Sequence, residues 1–338
     1  MESNMIEELL PHIHKITVPL PKNPLKSVNS YVLLSEKRNL VIDTAFNRPT
    51  CREFLRQAYS EIGLNPNRTD FFATHLHVDH NGLIATFAKP EAKKYMGKAD
   101  ALLFENRLNW HKMLQDSVLL GVSPEMLQFA KKNHPAQKYG PKEATRWDCV
   151  EAGDTLTVGE YTLTCLETPG HTWGHICLYE AKHGILFSGD HILGDITPNI
   201  QVWRLDDNPL QSYMESLDMI AGLRVERVLP GHGNVLENCV ERIAALKRHH
   251  LDRCEEVLEI LKPKPRNVVQ TASRMSWKIR AKSWEQFPLM QQWFASLEAA
   301  AHLRYLASRG LVLQEMSQEG WMQYSSVPDA DRSIGMDS

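Results

Sequence analysis

The chain has 338 residues, 38 basic against 41 acidic side chains, and a formal net charge of −3. That balance excludes a global attraction to nucleic acid or to an anionic membrane. The length allows a sizeable core and points to two domains, and no apolar run approaches the ~20 residues of a membrane helix.

In chain order, the N-terminus Met-Glu-Ser-Asn-Met-Ile-Glu-Glu lacks the basic start and apolar core of a secretion signal. The run Thr74-His-Leu-His-Val-Asp-His80 then places His75, His77, Asp79 and His80 within six positions. Residues i and i+2 of an extended strand end point the same way, so His75 and His77 can grip one ion. The chain then turns, letting Asp79 and His80 reach a second. From about residue 89 to 148 the pattern changes to helices. Apolar spacing from Lys98 through Leu120 predicts one, and Ser123 as N-cap before Pro124 starts another. These helices either pad the sheet or form a lid carrying Phe104, Trp110 and Met113.

Three later turns each carry one further donor. Pro169-Gly170-His171 follows the apolar stretch with Leu163 and Leu166. Ser188-Gly189-Asp190 closes Ile185-Leu186-Phe187, and Pro230-Gly231-His232-Gly233 ends Val228-Leu229. Each is an apolar strand running into a glycine turn with a donor at its exit, where catalytic groups are commonly mounted on a rigid sheet. His175 and His191 lie within these motifs but off the donor positions, and read as packing or supporting residues. His12, His14, His111, His134, His183 and His302 read as ordinary histidines, and His249 and His250 as a pair on a helix face. The six cysteines, at 51, 149, 165, 177, 239 and 254, show no paired spacing. They read as reduced thiols of a cytoplasmic protein.

From Cys239 to Leu261 one long amphipathic helix is expected, ended by Lys262-Pro-Lys-Pro265. Helices near Asn267–Arg280 and Phe287–Ser308 follow. Gly310–Leu313 and Trp321–Tyr324 then form a hairpin, and residues from Ser325 onward are expected to be disordered. Helix, helix, hairpin is the order of a winged-helix module. Seven Lys or Arg and no acid lie between Lys262 and Lys282, with Trp277 and Trp284 nearby. Such a stretch can track a phosphate backbone, although winged helices also serve in packing or homodimerisation. Nucleic-acid binding is not the favoured use.

Over roughly residues 10–236, the ordered set of motifs resembles the metallo-β-lactamase superfamily. The likeness includes Asn29-Ser-Tyr-Val32 and Leu40-Val-Ile-Asp43-Thr44. It implies an α/β fold, the four-layer αβ/βα sandwich, over residues 1–238, with a winged-helix-like domain over 239–338. It implies that His75, His77 and His171 hold one metal, that Asp79, His80 and His232 hold a second, and that Asp190 bridges both. Two positions depart from the family pattern, Thr44-Ala45 after Asp43 and Leu83 after Gly82, and neither touches a ligand. The C-terminal phrase LEAAAHLRYLASRGLV resembles, more weakly, a subgroup that includes a single-strand ribonuclease.

Histidine and carboxylate donors without thiolate suit zinc, with iron or manganese as alternatives. Two divalent ions lower the pKa of bound water to about 7 and stabilise an oxyanion. A bridging hydroxide can then attack an ester or thioester, with Asp79 orienting it. Asp43 is positioned to accept the other N–H of a ligand imidazole. The expected activity is a binuclear, glyoxalase II-like hydrolysis of a small ester, thioester or lactone. The resemblance leaves three rivals: single-strand endoribonuclease, iron-dependent sulfur dioxygenase, and non-catalytic ligand-binding effector.

Overall fold

A computed structural model describes residues 5–105, 110–141, 145–278 and 281–328, apart from the side chains of Trp110, His111, Met113 and Leu114. The chain forms two compact units. One comprises residues 1–108, 135–198 and 216–243, the other 109–134, 199–215 and 244–338.

Two sheets make up the first unit. The seven-stranded sheet runs in chain order: β1 (Ile6–Leu10), β2 (Ile13–Pro19), β3 (Ser27–Leu33), β4 (Asn39–Ile42), β5 (Thr69–Ala73), β6 (Lys94–Gly97) and β7 (Asp148–Val150). It is antiparallel up to β4 and parallel from β4 to β7. The five-stranded sheet comprises β8 (Thr155–Val158), β9 (Tyr161–Glu167), β10 (Ile176–Glu180), β11 (Ile185–Gly189) and β12 (Arg227–Pro230), ordered β12-β11-β10-β9-β8. Strand β9 shows how sequence sets the faces: Tyr161, Leu163 and Cys165 alternate inward, with more exposed residues between them. Strand β5 is buried at every position, as expected of a parallel strand covered on both faces.

The inner faces share one core. Ile13, Tyr31, Leu40, Ile42 and Phe72 of the first sheet cluster with Leu163, Ile176, Leu178, Phe187 and Leu229 of the second. Tyr31 meets Phe187 edge to face at 5.4 Å, and the Tyr31 hydroxyl donates to Pro230 O at 2.8 Å. Outside the first sheet lies α1 (Pro49–Glu61), which has proline in its first turn and packs on β2. It buries Cys51, Leu55, Ala58 and Tyr59, a stripe at helical spacing. A fully buried leucine such as Leu55 contributes about 1.5–3 kcal/mol.

Short helices α2 (Val78–Asn81) and α3 (Ile84–Phe87) follow β5, and α4 (Lys98–Glu105) follows β6. Of the helix expected from Lys98 through Leu120, α4 covers Lys98–Glu105 and α5 covers Trp110–Leu119, and residues 106–109 lie outside the described residues. The expected N-cap is present at α6 (Pro124–Asn133), where Ser123 Oγ accepts from Met126 N at 3.2 Å. A short α7 (Pro135–Tyr139) precedes β7, and α8 (Pro209–Ala221) precedes β12. Of the residues assigned to a lid, Phe104 packs on Trp147 with ring centres 5.5 Å apart, while the Trp110 and Met113 side chains lie outside the described residues.

The remaining helices are α9 (Cys239–Leu261), α10 (Val268–Ala272) and α11 (Leu289–Ser308), followed by a hairpin of β13 (Val312–Met316) and β14 (Met322–Ser326). Within the second unit α11 packs against α6, α10 and β13. The helix expected over 267–280 stops at Ala272, and of that span Ile279 and Arg280 lie outside the described residues. Side chains bind the backbone beyond its end: Trp277 Nε1 donates to Ala272 O, Arg253 to Ser276 O, and Glu256 accepts from Ser276 N. Ser325 and Ser326, expected to be disordered, pair with Leu313 and Val312 instead.

Two of the seven basic residues between 262 and 282 serve the fold. Arg266 is buried and donates to Ile260 O, and Arg274 donates to Gln270 O. Among the described residues, no helix is long and apolar enough to cross a membrane.

Candidate metal centre

Every predicted donor loop leaves the same edge of the sandwich. Asp43 follows β4, His75 and His77 follow β5, His171 follows β9, Asp190 follows β11 and His232 follows β12. Strands β4 and β5 are parallel, as are β11 and β12. The antiparallel pairs β9–β10 and β10–β11 give β9 the direction of β11. Backbone bonds stitch the two sheets together at this edge: Ile176 N donates to Thr74 O, and Asn29 N to Gly231 O.

The structure brings all seven predicted donors together, in three overlapping groups: His75–His77–His171, His75–His80–Asp190, and Asp79–His80–His232, each with its donor atoms within 4.8 Å of one another. His77 Nδ1 lies 3.0 Å from His75 Nε2 and 2.9 Å from His171 Nε2. Asp190 faces three imidazoles: its Oδ1 is 3.5 Å from His80 Nε2, and its Oδ2 is 3.7 Å from His171 Nε2 and 3.6 Å from His232 Nε2. His232 Nε2 is 3.7 Å from Asp79 Oδ2.

Burial leaves His80 Nε2, His232 Nε2 and Asp190 Oδ1 without hydrogen-bond partners. His80 Nε2 stands 3.5 Å from Asp190 Oδ1 and His232 Nε2 3.6 Å from Asp190 Oδ2, longer than a normal hydrogen bond, and such atoms are costly to bury unsatisfied. A cation ligated by all three removes that cost, so the donor set fits a divalent metal by geometry as well as by chemistry. The electrostatics agree. Burial opposes charge on His80, yet Asp190 and Asp43 carry its pKa well above the usual histidine range. Burial likewise opposes charge on Asp190, but His232 and His80 hold its carboxyl well below the usual range. His75 is held well below its ordinary value by burial and by the imidazoles of His80, His77 and His171.

A comparison with known families finds the metallo-beta-lactamase superfamily over residues 23–232. The chain belongs to that superfamily. A beta-lactamase-like protein 2 homolog from Drosophila melanogaster is 35% identical over 251 residues, covering 73% of this chain and 72% of that protein. The acyl-coenzyme A thioesterase MBLAC2 of Gallus gallus is 29% identical over 231 residues, covering 67% and 78%. A solved metallo-beta-lactamase family protein from Thermus thermophilus is 25% identical, with a TM-score of 0.78 over 95% of this chain and 100% of that one.

Around this superfamily centre, buried groups orient the donors. Asp43 Oδ2 is 2.8 Å from His80 Nδ1 and accepts from Thr74 Oγ1 at 2.8 Å, while Oδ1 accepts from Thr74 N at 2.8 Å. In the Thr44-Ala45 turn, expected to touch no ligand, Thr44 instead donates from Oγ1 to His80 O and accepts from Leu83 N. His232 Nδ1 donates to Ser27 O at 2.6 Å, which directs Nε2 inward. His175 Nε2 accepts from Asp190 N at 3.2 Å, so its Nδ1–H points to Thr168 Oγ1 at 2.8 Å. His191 is fully buried nearby. His250, half of the expected helix-face pair, is instead fully buried, with Nδ1 3.2 Å from His302 Nε2.

Sequence reasoning passed over Asp100 entirely. It is buried in the first turn of α4 and accepts three hydrogen bonds, from Leu76 N, Thr172 Oγ1 and Gly174 N. Burial pushes its carboxyl up to about 6 against the pull of those donors.

Proposed function

We propose that the chain is a thioesterase acting on a small acyl thioester at a pair of divalent cations. The observation that carries this reading is the convergence of five imidazoles and two carboxylates, among which the buried His80 Nε2, His232 Nε2 and Asp190 Oδ1 have no hydrogen-bond partner. Its support for a thioester is the similarity to a protein named as an acyl-coenzyme A thioesterase. In this reading His75, His77 and His171 hold one cation, Asp79, His80 and His232 the other, and Asp190 stands between them. Zinc is the cation assigned, because imidazole and carboxylate donors suit it. Bound cations supply an acidified water and a positive field for the oxyanion of the tetrahedral intermediate.

Asp79 is the proton carrier in this reading. It is less buried than Asp190, with its Oδ2 facing His232. From there it orients the attacking water, accepts its proton and returns it toward the leaving group. A thiol of pKa about 8.5 departs as thiolate with little help, so one carboxylate suffices. An amide nitrogen needs full protonation to leave, which makes a thioester the better match to this site.

In this reading the segment from Cys239 onward is a winged-helix-like module, and residues 109–134 and 199–215 cluster with most of it in the second compact unit. All six cysteines are free, as suits a reducing compartment.

The test is thiol release from acyl-coenzyme A substrates of graded chain length by the zinc-loaded protein. Turnover is expected to fall about 100-fold or more in His77→Ala and Asp79→Asn. Absence of thiol release across the series overturns the reading.

A further inference from the structure

Asp100 is no member of the donor set, yet it binds both loops that carry the trio His75, His77 and His171. Its Oδ2 accepts from Leu76 N at 2.8 Å and from Thr172 Oγ1 at 2.7 Å, and its Oδ1 accepts from Gly174 N at 2.7 Å. Leu76 lies between the two histidines of the first loop, and Thr172 directly follows His171 in the second. One buried carboxylate therefore spans the gap across which His77 Nδ1 meets His171 Nε2 at 2.9 Å. The approach is close enough that a Cβ on Gly174 would collide with the Asp100 backbone nitrogen, and glycine occupies that position. Two of the three donors are backbone N–H groups, so the carboxylate fixes the loops' backbones and not only their side chains.

We infer that Asp100 is a positioning residue for the cation site formed by His75, His77 and His171, setting the distance between the two loops that supply its ligands. The inference rests on the reading of that trio as a cation site and is independent of the substrate. Ligand nitrogens must sit within a few tenths of an ångström of ideal distances to bind a metal well. Loss of supporting hydrogen bonds around a metal site typically costs 10–100-fold in affinity. The trio depends on Asp100 more than the second group does: within that group His80 is oriented by Asp43 and His232 by Ser27, and the bonds of Asp100 to Leu76, Thr172 and Gly174 reach neither.

The test is a competition titration of zinc against a chromophoric chelator, with wild type, Asp100→Asn and Thr172→Val checked as folded by circular dichroism. Cobalt is substituted in parallel to report ligand geometry by its visible spectrum. In Asp100→Asn one class of site is expected to weaken about 10–100-fold, with a changed cobalt spectrum, while the other class keeps its affinity. A merely structural role would lower the melting temperature and leave the affinity of the folded protein unchanged, and that result overturns the inference. Equal weakening of both classes, or no cation binding by wild type, overturns it too.

If Asp100→Asn does not fold, Thr172→Val decides, because it removes one hydrogen bond and leaves both backbone donors in place. A several-fold loss at one class supports the inference, and wild-type affinity refutes it. Cation binding that depends on Asp100 in a protein with no thioester turnover would sink the proposed substrate alone.

Discussion

Replacing Asp43 with alanine tests how much of the hold on the loop at 74–80 this buried carboxylate supplies. Asp43 is almost wholly buried and has φ +59°, a left-handed conformation that Asp and Asn tolerate better than most residues. Its three contacts, to Thr74 N, Thr74 Oγ1 and His80 Nδ1, are all 2.8 Å. Alanine orphans three donors and keeps the backbone strain. Bonds to a charged acceptor contribute about 1.5–3 kcal/mol each, but rotation of the Thr74 hydroxyl and entry of water recover part of that. The expected loss is about 4 kcal/mol, a large share of the 5–15 kcal/mol typical of a whole domain. The corresponding drop in melting temperature is on the order of 10 °C. Asp43→Asn keeps one oxygen and suits the left-handed backbone, so about half that loss is expected. Urea titration of the metal-free proteins at neutral pH measures both. A loss under about 1 kcal/mol for Asp43→Ala would show that the loop is held by packing, not by this carboxylate.

Other outcomes follow from the same geometry. A Cβ at Gly231 would lie 2.5 Å from Asp190 Oδ1 and 2.7 Å from His80 Cε1, so Gly231→Ala should cost about 100-fold in turnover while circular dichroism stays native. Wild-type turnover there would mean that Asp190 is free to move. Chelation of bound cations should lower the melting temperature, with each site losing about 2.7 kcal/mol if it was held at 100 times its Kd. A melting curve indifferent to chelator and added zinc would argue against a cation at the cluster. Burial pushes the Glu298 carboxyl up to about 7 against the opposing pull of Arg253. An unfolded glutamate titrates near pH 4.3, so this stability is complete below that pH and is lost as pH rises through about 7. Glu298→Gln should therefore match wild type near pH 4 and exceed it by about 1–3 kcal/mol near pH 8, the partial exposure of Glu298 limiting the gain. An offset that does not change with pH refutes that account.

The cluster of seven side chains was legible because its signal is local and dense. Four donors within six residues at 75–80, and single donors after glycine turns at 171, 190 and 232, need no knowledge of tertiary contacts. The strands feeding those turns were legible for a related reason, since an apolar run ending in glycine marks both a buried strand and its exit. The N-cap at Ser123 was readable in the same way, from one residue and the proline after it. What failed to show were features defined by partners far away in the chain. The stop at Ala272 depends on Arg253 and Glu256, a helix away, taking the polar groups of Ser276. His250 looked like a surface residue because its neighbours Lys247, Arg248 and His249 are polar, and its contacts with Tyr213 and with His302, 52 positions later, reveal it as interior.

Asp100 is the clearest instance. In Lys98-Ala-Asp-Ala-Leu it has the appearance of an ordinary acid in the first turn of a helix, where a carboxylate is favoured by the dipole alone. Its partners lie 24, 72 and 74 residues away. The same physics that hides it also explains why the donors can be read without it. Candidate ligands here are histidines and carboxylates, so residue type marks them. Holding a loop requires only an acceptor in the right place, and which acceptor does so is decided by the fold.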